Sequence, residues 1–267
     1  MNATSRMSFL GDGLNWLKAA TITVLGAGGG GSHIAQQIAH LGVGRLVVVD
    51  PDRLEDTNVN RVVGVGYCDV GERKAHLLAA RFSDLKTQII PVEARAESTI
   101  GRYWIEQSDV VFGAVDGVRA RRNIEVICRT AMVPYIDIGL KIAMNDDGIT
   151  IDAIGGQIVT SIPGGPCLRC AEVVTDAGAL ADREEYVAGR PEQQVVSMNG
   201  ILASQAVNGM LSLMTGYAGD FPVPAVITYD GLDHVMEPNR YIQGPCPHFA
   251  LETAGWQYVL PKRVTGA

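Results

Sequence analysis

Three glycines near the start of the chain, Gly26, Gly28 and Gly31, have the Gly-x-Gly-x-x-Gly spacing of a phosphate-binding turn. Without side chains at these positions, a phosphate can approach the backbone N–H groups at the start of the following helix. Asp50 follows at about the separation at which such units place an acid on a nucleotide ribose. The pattern predicts a nucleotide site. A dinucleotide oxidoreductase fits it equally well, and a flexible loop that binds nothing is the third interpretation.

The residues around the glycines predict the elements that would position them. The short β-branched run Thr21–Leu25 predicts a strand, and apolar residues repeat at helical intervals from residue 34 to residue 41. A second apolar strand is predicted at residues 46–49, directly before Asp50. The unit is therefore a strand, a glycine turn, a helix and a second strand.

Lys74 is predicted to lie in the first turn of a helix, because Ala75, Leu78 and Phe82 follow it at helical spacing. The helix dipole favours anions at that end, so a lysine gains nothing from it. The position makes more sense if Lys74 points at a phosphate. A solvated surface lysine is the alternative.

Asp116 follows a predicted strand at residues 110–112. Open α/β sheets bind ligands beyond the carboxyl ends of their strands, so Asp50 and Asp116 are both candidates to face one crevice. An acid after a strand can equally cap the next helix, and that alternative stays open.

Strands and helices continue to alternate, which predicts a Rossmann-like, mostly parallel sheet with helices on both faces. Further strands are predicted at residues 88–92, 110–112 and 133–138, and a helix at residues 100–106. Beyond them, Asp147-Gly148 and Gly155-Gly156 are interpreted as hairpin signals. Antiparallel strands are therefore expected to extend the sheet in the C-terminal half.

The composition excludes several classes of protein. With 267 residues, 47% of them hydrophobic, the chain can bury a large core and is not expected to be disordered. The net charge of −7 disfavours a broad nucleic-acid surface, although Arg119, Arg121 and Arg122 form a local basic cluster. No apolar run approaches the roughly 20 residues that span a bilayer, no signal pattern is recognised, and the five cysteines do not resemble a disulfide framework. We expect a soluble, cytoplasmic protein.

In the residues that follow Asp50, the sequence resembles the ubiquitin-activating-enzyme-like adenylating superfamily, which includes ThiF, MoeB and HesA. The resemblance lies in GAGGGGS, VDPDRLEDTNVNR, DVGERKA, AVDGVRARRN and a later CLRC, which together cover most of residues 21–170. A dehydrogenase has no reason to carry an asparagine–arginine pair at Asn60 and Arg61 and a lysine at Lys74. The resemblance therefore favours adenylation over oxidoreduction.

Members of this superfamily join a carboxylate, usually the C-terminus of a small ubiquitin-like protein, to AMP and release pyrophosphate. The resemblance thus implies an ATP-dependent adenylyltransferase that acts on a ubiquitin-like or sulfur-carrier protein. Adenylation of a peptide or of a modified tRNA base is one alternative, and a non-catalytic partner-binding subunit is another. A homodimer is also implied, in which Arg6 is the candidate to reach the nucleotide of the other subunit.

The resemblance assigns roles to individual residues. Arg61 and Lys74 would supply positive charge for the charge that builds on the phosphates, and Asp116 would help to hold Mg²⁺. Asp50 would take the ribose. The implied nucleotide-binding set is completed by Gly26, Gly28, Gly29 and Asn58.

Cys167 and Cys170 form a Cys-x-x-Cys pair, which is a zinc half-site in many members of the superfamily. Those members complete the site with a second pair near the C-terminus, but here a phenylalanine stands where the second thiol of GPCPHFA would be. Cys246 and His248 are therefore expected to complete a structural zinc site, with a water or His234 as alternatives to His248. An unmetallated or redox thiol pair is the other interpretation.

The chain is expected to be a single adenylation domain, with a nucleotide-binding half at about residues 1–139 and an acceptor-binding half at about residues 140–267. A crossover loop over the active site is implied at residues 171–193, and it contains no cysteine that would attack the adenylate. Cys128 lies in an apolar helical pattern and is expected in the core, and Cys68 is expected to be incidental. The resemblance is nearer to members that stop at the adenylate.

Overall fold

The structure is a computed structural model of the chain, and it describes residues 5–145, 150–179, 193–219, 222–242 and 244–252. The strands are β1 (Thr21–Leu25), β2 (Arg45–Val49), β3 (Gln88–Val92), β4 (Val110–Gly113), β5 (Tyr135–Met144), β6 (Ile151–Ser161), β7 (Val226–Asp230) and β8 (Val235–Pro238). The α-helices used below are α1 (Gly13–Ala19), α2 (Gly29–Leu41), α3 (Lys74–Arg81), α4 (Thr99–Glu106), α5 (Val118–Thr130) and α6 (Val196–Thr215). Short 3₁₀ helices lie at Ser5–Leu10, Asp56–Asn58, Tyr67–Asp69 and Pro247–Glu252.

The strands form one mixed sheet in the order β3-β2-β1-β4-β5-β6-β7-β8. The pairs from β3 to β5 are parallel, and those from β5 to β8 are antiparallel. Every residue of the central strand β1 is buried, as expected where helices cover both faces of a parallel sheet. The predicted Rossmann-like sheet with an antiparallel extension is confirmed.

Two hydrophobic cores lie on opposite faces of this sheet. Leu17 of α1, Ile34 of α2, Leu78 of α3 and Met210 of α6 belong to the first core. Residues of α4 and α5 belong to the second core, which contains Cys128. The prediction that Cys128 is a core residue is confirmed, because its side chain is fully buried.

Two sequence-based assignments in the C-terminal half need correction. The strand predicted at residues 133–138 begins at Tyr135 and continues to Met144, because it pairs with β4 at its start and with β6 along its whole length. The Gly155-Gly156 pair is not a turn but lies inside β6. A Cβ on Gly156 would lie 2.9 Å from Leu202 Cδ1, so this glycine lets α6 pack closely on the sheet. The Asp147-Gly148 signal lies outside the described residues.

Helix α6 is held against α2 by polar contacts as well as by the first core. His33 Nε2 lies 3.1 Å from the Val196 carbonyl oxygen, and Gln37 Nε2 donates to Ser204 Oγ at 3.1 Å. This packing places Asn199, at the start of α6, beside the glycine turn. Within the described ranges, no helix combines the length and the apolar character that crossing a membrane requires.

Candidate functional site

The glycine turn between β1 and α2 needs glycine for two different reasons. Gly26 adopts φ +92°, which L side chains rarely allow, and its N–H donates to the Val49 carbonyl oxygen at 2.9 Å. A Cβ on Gly29 would lie 2.6 Å from Asn199 Nδ2, and a Cβ on Gly31 would collide with the carbonyl oxygen of Gly26. Gly28 differs, because a Cβ there would meet no atom of the described residues within 4 Å, its chain neighbours aside. Space is therefore left open at Gly28, directly at the start of α2.

Asp50 is buried at the end of β2 and fastened to the turn. Its Oδ2 accepts the Ala27 N–H at 2.6 Å, and its Oδ1 accepts the Asp52 N–H at 2.8 Å. Burial raises the pKa of Asp50, and the two N–H donors and Lys74 act in the opposite direction. A carboxylate has about four lone-pair positions, so both oxygens keep capacity to accept ribose hydroxyls.

Lys74 is the first residue of α3, as the sequence predicts, and its side chain is only 12% exposed. Its Nζ lies 3.4 Å from Asp52 Oδ2, a carboxylate whose side chain is 64% exposed. A pair with one partner so exposed contributes little to stability. The ammonium is thus held near the turn by a weak interaction that an incoming phosphate can replace.

Asn58 and Arg61 lie on the loop between β2 and α3 and bond to that loop. Arg61 Nη1 donates to the Thr57 carbonyl oxygen at 2.6 Å and to Asn60 Oδ1 at 3.3 Å. The buried Asn58 accepts the Glu55 N–H at 3.4 Å through Oδ1. The contacts of Asn58 and Arg61 with a nucleotide remain a prediction. The observed hydrogen bonds stabilise the conformation of the loop.

Asp116 is exposed in the loop between β4 and α5, and it makes no polar contact with the described part of the chain. The preceding residue is fixed, because Arg121 Nε donates to the Val115 carbonyl oxygen at 3.2 Å. Arg121 also donates from Nη2 to the Ile138 carbonyl oxygen at 3.3 Å. Arg121 therefore ties the loop that carries Asp116 to β5.

The buried carboxylate of Asp137 pairs with Arg121. Asp137 is fully buried, its Oδ2 lies 3.5 Å from Arg121 Nη1, and its Oδ1 accepts the Tyr135 hydroxyl at 2.8 Å. Burial raises the pKa of Asp137, and Arg121 opposes the shift. Sequence reasoning placed Arg121 in a surface basic cluster and did not find this role.

We call the turn at residues 26–31, with Asp50, Lys74 and Asp116, the glycine edge. Asp50, the glycine turn and Asp116 follow β2, β1 and β4, which are neighbours in the sheet. Lys74 begins α3, and its backbone N–H donates to the Asp52 carbonyl oxygen at 3.1 Å. The edge of the sheet at the carboxyl ends of these strands therefore carries backbone N–H groups, two carboxylates and an ammonium. This set of groups suits a nucleoside triphosphate and its metal ion.

The predicted metal ligands lie together at a second location. Cys167, Cys170, Cys246 and His248 offer ligand atoms that all lie within 4.8 Å of one another. We call these four residues the thiol–imidazole cluster. Cys170 Sγ lies 3.6 Å from Cys167 Sγ and 3.7 Å from Cys246 Sγ. The distances from His248 Nδ1 to the three sulfurs are 3.4, 3.5 and 3.9 Å.

These distances fit a tetrahedral zinc site. With Zn–S near 2.3 Å and Zn–N near 2.05 Å, tetrahedral ligands are about 3.8 Å apart for two sulfurs and about 3.6 Å apart for sulfur and nitrogen. Burial raises the pKa of the Cys167 thiol, so a bound cation would be needed to hold it as the thiolate. The alternative ligand His234 is exposed in the turn between β7 and β8 and is not part of the cluster.

Comparison with known proteins identifies the family. The family model described as "ThiF family" matches residues 3–243. The chain belongs to the ThiF family. It is 35% identical over 245 residues to the SAMP-activating enzyme E1 of Haloferax volcanii, which covers 88% of this chain and 82% of that one. It is 25% identical over 238 residues to the molybdopterin-synthase adenylyltransferase of Escherichia coli, 88% of each chain.

The solved structures agree on the fold. The crystal structure of E. coli MccB with succinimide matches with a TM-score of 0.73 at 18% identity, over 92% of this chain and 73% of that one. Together with the family and the named relatives, this confirms the predicted superfamily and fold. The ThiF-family chain is a nucleotidyltransferase of the ThiF/MoeB adenylyltransferase type.

In this ThiF-family chain, a buried network behind the thiol–imidazole cluster holds the cysteine pair. Arg129 is 1% exposed and donates from Nη2 to the carbonyl oxygens of Gly165 and Pro166, at 2.9 and 2.7 Å. Glu125 Oε1 accepts the Leu168 N–H at 2.8 Å. The backbone on both sides of Cys167 is therefore fixed by two side chains of α5.

The same network reaches the other half of the cluster. Ser161 Oγ accepts from Arg129 Nε at 3.0 Å and donates to Glu125 Oε1 at 2.6 Å. The ring of Phe249 lies 4.7 Å from the Arg129 guanidinium carbon, a cation–π distance. Phe249, which replaces the expected thiol, thus packs on the arginine that holds the cysteine pair.

Sequence reasoning missed this network, although the sequence carries a signal for it. Arg121, Glu125 and Arg129 recur every four residues and so share one face of α5. That face contacts β5 and β6, where Asp137 and Ser161 lie. Alternating charges on a face that must be buried indicate ion pairs inside the protein.

Two predicted features remain, Cys68 and the crossover loop. Cys68 is exposed in the 3₁₀ helix Tyr67–Asp69. Residues 171–179 of the expected crossover loop are described and end in a helical turn at 176–179, whereas residues 180–192 lie outside the described part.

Proposed function

We propose that the chain uses ATP to adenylate the C-terminal carboxylate of a ubiquitin-like or sulfur-carrier protein, and that it releases pyrophosphate. The observation that supports this most is the glycine edge, with its open space at Gly28 and its carboxylate and ammonium groups beside it. The two relatives support the same reaction class, since their names state activation of SAMP and adenylyl transfer.

In this proposal, ATP binds with its phosphates at the open turn. Gly26 and Gly29 shape the turn, Gly28 leaves room for the phosphates, and the helix dipole of α2 favours the negative charge. Asp50 accepts the ribose hydroxyls through its remaining lone pairs. Asn58 contributes a further hydrogen bond from the neighbouring loop.

The reaction needs positive charge where negative charge develops. Attack of the acceptor carboxylate on the α-phosphorus builds charge on the phosphate oxygens and on the leaving pyrophosphate. Lys74 and Arg61 supply cationic donors there, and neither is held by more than exposed or local bonds. The protein positions the reactants and stabilises charge, and no protein nucleophile is required.

Asp116 is proposed to help hold Mg²⁺. Magnesium in nucleotide sites is usually bound by one or two carboxylates together with substrate phosphates and waters. Asp116 fits, because it is exposed at the end of β4 and has no polar partner in the described part of the chain. The metal would neutralise phosphate charge.

The thiol–imidazole cluster is proposed to bind one structural zinc ion. A closed site of three thiolates and one imidazole contributes folding energy directly. Here it would join the segment after β6 to the segment after β8, which carry the two halves of the ligand set. The five free cysteines fit a reducing compartment, and we propose that the enzyme acts in the cytoplasm.

We propose that a second copy of the chain covers an aromatic surface to form a homodimer. Phe9, Trp16 and Tyr217 are 66%, 60% and 41% exposed, and the rings of Phe9 and Tyr217 contact at 5.7 Å. Exposed aromatic rings in contact, such as those of Phe9 and Tyr217, are typical of protein interfaces. Arg6 is exposed on the same 3₁₀ helix as Phe9, which is consistent with a role across the interface. Light scattering should give a dimer that Trp16→Asp dissociates.

Pyrophosphate exchange tests the reaction. Radiolabelled pyrophosphate should enter ATP only when a carrier protein with a free C-terminal carboxylate is present, and NAD should not compete. Gly28→Val should abolish ATP binding, because its side chain fills the open space. Gly155→Val in β6 is the control, because a Cβ there also meets no atom within 4 Å in the described part of the chain, and it should leave ATP binding unchanged.

Other outcomes would select another interpretation. Exchange driven by a free peptide or by tRNA would replace the carrier-protein acceptor, and ATP binding without any exchange would favour a non-catalytic subunit. Tight binding of NADH would overturn the proposal.

A further inference from the structure

A small basic pocket lies where α5 meets the segment that follows the cysteine pair. Its volume is about 190 Å³, and its polar lining comes from two elements. The polar lining residues are Arg119, Arg122, Asn123, Arg169, Thr175 and Asp176. We call it the arginine pocket.

The pocket lies close to the glycine edge in the chain and in the fold. Arg119 is the second residue of α5 and follows Asp116 by three positions. In a helix the Cα–Cβ bonds tilt toward the N-terminus, so Arg119 and Arg122 lean toward the end that carries Asp116. The opposite wall packs onto the same end, because a Cβ on Gly178 would lie 3.2 Å from Val118 Cγ2.

The arginine pocket is positively charged, whereas the chain as a whole is negatively charged. It contains three arginines and one aspartate, in a chain of net charge −7. Asp176 pairs with Arg169 at 3.3 Å, but its side chain is 85% exposed, so the pair contributes little. Arg119 lies in the first turn of α5, where the helix dipole disfavours cations.

Arg122 differs from the arginines of α5 that hold the fold. Arg121 and Arg129 face the sheet and bond to carbonyl oxygens there. Arg122 lies on the exposed side of α5 and makes no hydrogen bond or ion pair with any residue that the structure describes. Arg122 is exposed beside two other arginines and has no partner among the described residues, so its guanidinium is available to bind an anionic ligand.

We propose that the arginine pocket binds acidic side chains of the acceptor protein, near the tail that enters the glycine edge. Arginine binds carboxylates through two parallel hydrogen bonds, and 190 Å³ holds one or two such side chains but is below the roughly 300 Å³ of small-molecule sites. A chain of net charge −7 repels an acidic acceptor elsewhere, so a local basic pocket also orients it. This inference rests on the proposed function.

Binding of a fluorescently labelled hexaglutamate, followed by anisotropy, tests the pocket without any reaction. The wild-type protein should bind hexaglutamate and not hexaglutamine. Arg122→Glu should weaken binding at least about tenfold, and Arg122→Gln should weaken it less, because charge reversal adds repulsion. Arg102→Glu on α4, which makes the same charge change at an exposed pair with Glu106, should have little effect.

Three results would overturn the inference. Equal binding of hexaglutamate by the wild type and Arg122→Glu would show that the pocket is not the site. Displacement of the peptide by ATP, or weaker ATP binding by Arg122→Glu, would place the pocket in the nucleotide site. Tighter binding of a short single-stranded RNA than of hexaglutamate, lost in Arg122→Glu, would assign it to nucleic acid.

The test separates this inference from the proposed function. If pyrophosphate exchange with a carrier occurs but hexaglutamate does not bind, only the pocket assignment fails. If hexaglutamate binds but exchange never occurs, the adenylation proposal fails and the acidic-ligand site stands.

Discussion

At the glycine edge, two of the charged side chains have weak partners or none within the described residues: Lys74 pairs with an exposed carboxylate, and Asp116 pairs with nothing. The third, Asp50, accepts two backbone N–H groups and keeps lone pairs for a ligand. Behind the thiol–imidazole cluster, by contrast, the buried side chains of Glu125, Arg129 and Ser161 are joined into a single bonded network. The two regions differ in what their ligand must do. A substrate arrives and leaves, so its contacts must be available, whereas a structural ion stays and its support can be bonded permanently.

Burial explains why the two regions can differ so much. An exposed charge such as that of Asp116 costs little, because water solvates it until a ligand arrives. A buried charge such as Arg129 or Glu125 must be paired and hydrogen-bonded, because its desolvation is otherwise uncompensated. We therefore expect variants at the cluster to change stability and variants at the glycine edge to change rate.

The largest effect is expected for Arg129→Ala. It leaves Glu125 buried without its cation and removes the donor to two carbonyl oxygens, which should lower the free energy of unfolding by about 3–5 kcal/mol. Urea denaturation measures this. Arg122→Ala, on the exposed side of the same helix, is the control and should stay within about 0.5 kcal/mol of the wild type. Equal losses in both variants would break the comparison.

The next effect is catalytic. Lys74→Ala and Asp116→Ala should each reduce pyrophosphate exchange by about 100-fold or more, equivalent to about 2.7 kcal/mol, because a preorganised charge at the phosphates is lost. Their unfolding free energies should change by less than about 0.5 kcal/mol, since neither side chain has a strong partner. Lys86→Ala removes an exposed lysine outside the glycine edge and should keep wild-type exchange. Large destabilisation in either variant would mean that the glycine edge is structural after all.

A smaller effect, on zinc binding, is expected from substitution of His248 in the thiol–imidazole cluster. Wild-type protein purified without chelator should contain about one zinc per chain, and a content below about 0.2 would refute the site. His248→Ala should weaken zinc binding by about 10–100-fold or more, because it opens the site to water, whereas His248→Cys should retain the metal. Elemental analysis and chelator competition measure both variants.

No effect is expected from the cysteines outside the cluster. With ATP and a carrier, the enzyme should form no thioester on itself, because residues 171–193 contain no cysteine and Cys128 is fully buried. Cys68 is exposed, but it lies in the 3₁₀ helix Tyr67–Asp69 and not in the expected crossover loop. Burial also raises the pKa of the Cys128 thiol, which keeps it protonated and unreactive. A thiol-sensitive adduct on a non-reducing gel that disappears in Cys68→Ala would contradict this expectation.

The parts of the fold that depend on local pattern were predictable from the sequence. Periodicity and glycine spacing located β1, α2 and β2, and the Cys-x-x-Cys pair with Cys-Pro-His located all four members of the cluster. The meaning of Gly155-Gly156 was not predictable, because a turn and a close helix contact both require glycine. The roles of Arg121 and Arg129 were also missed, because their partners are on strands far along the chain.

The run Gly28–Gly31 has a consequence for reading divergent sequences of this fold. Gly29, Gly30 and Gly31 are each restricted by the protein's own atoms, those of Asn199, of Ile138 and of the Gly26 carbonyl. Gly28 meets no such restriction from the residues that the structure describes, so a side chain there would be penalised by a bound molecule and not by these residues. A descendant that lost nucleotide binding but kept its fold would therefore be free to mutate at position 28 while retaining the next three glycines. That single position would report the loss of an activity before any other part of the motif decayed.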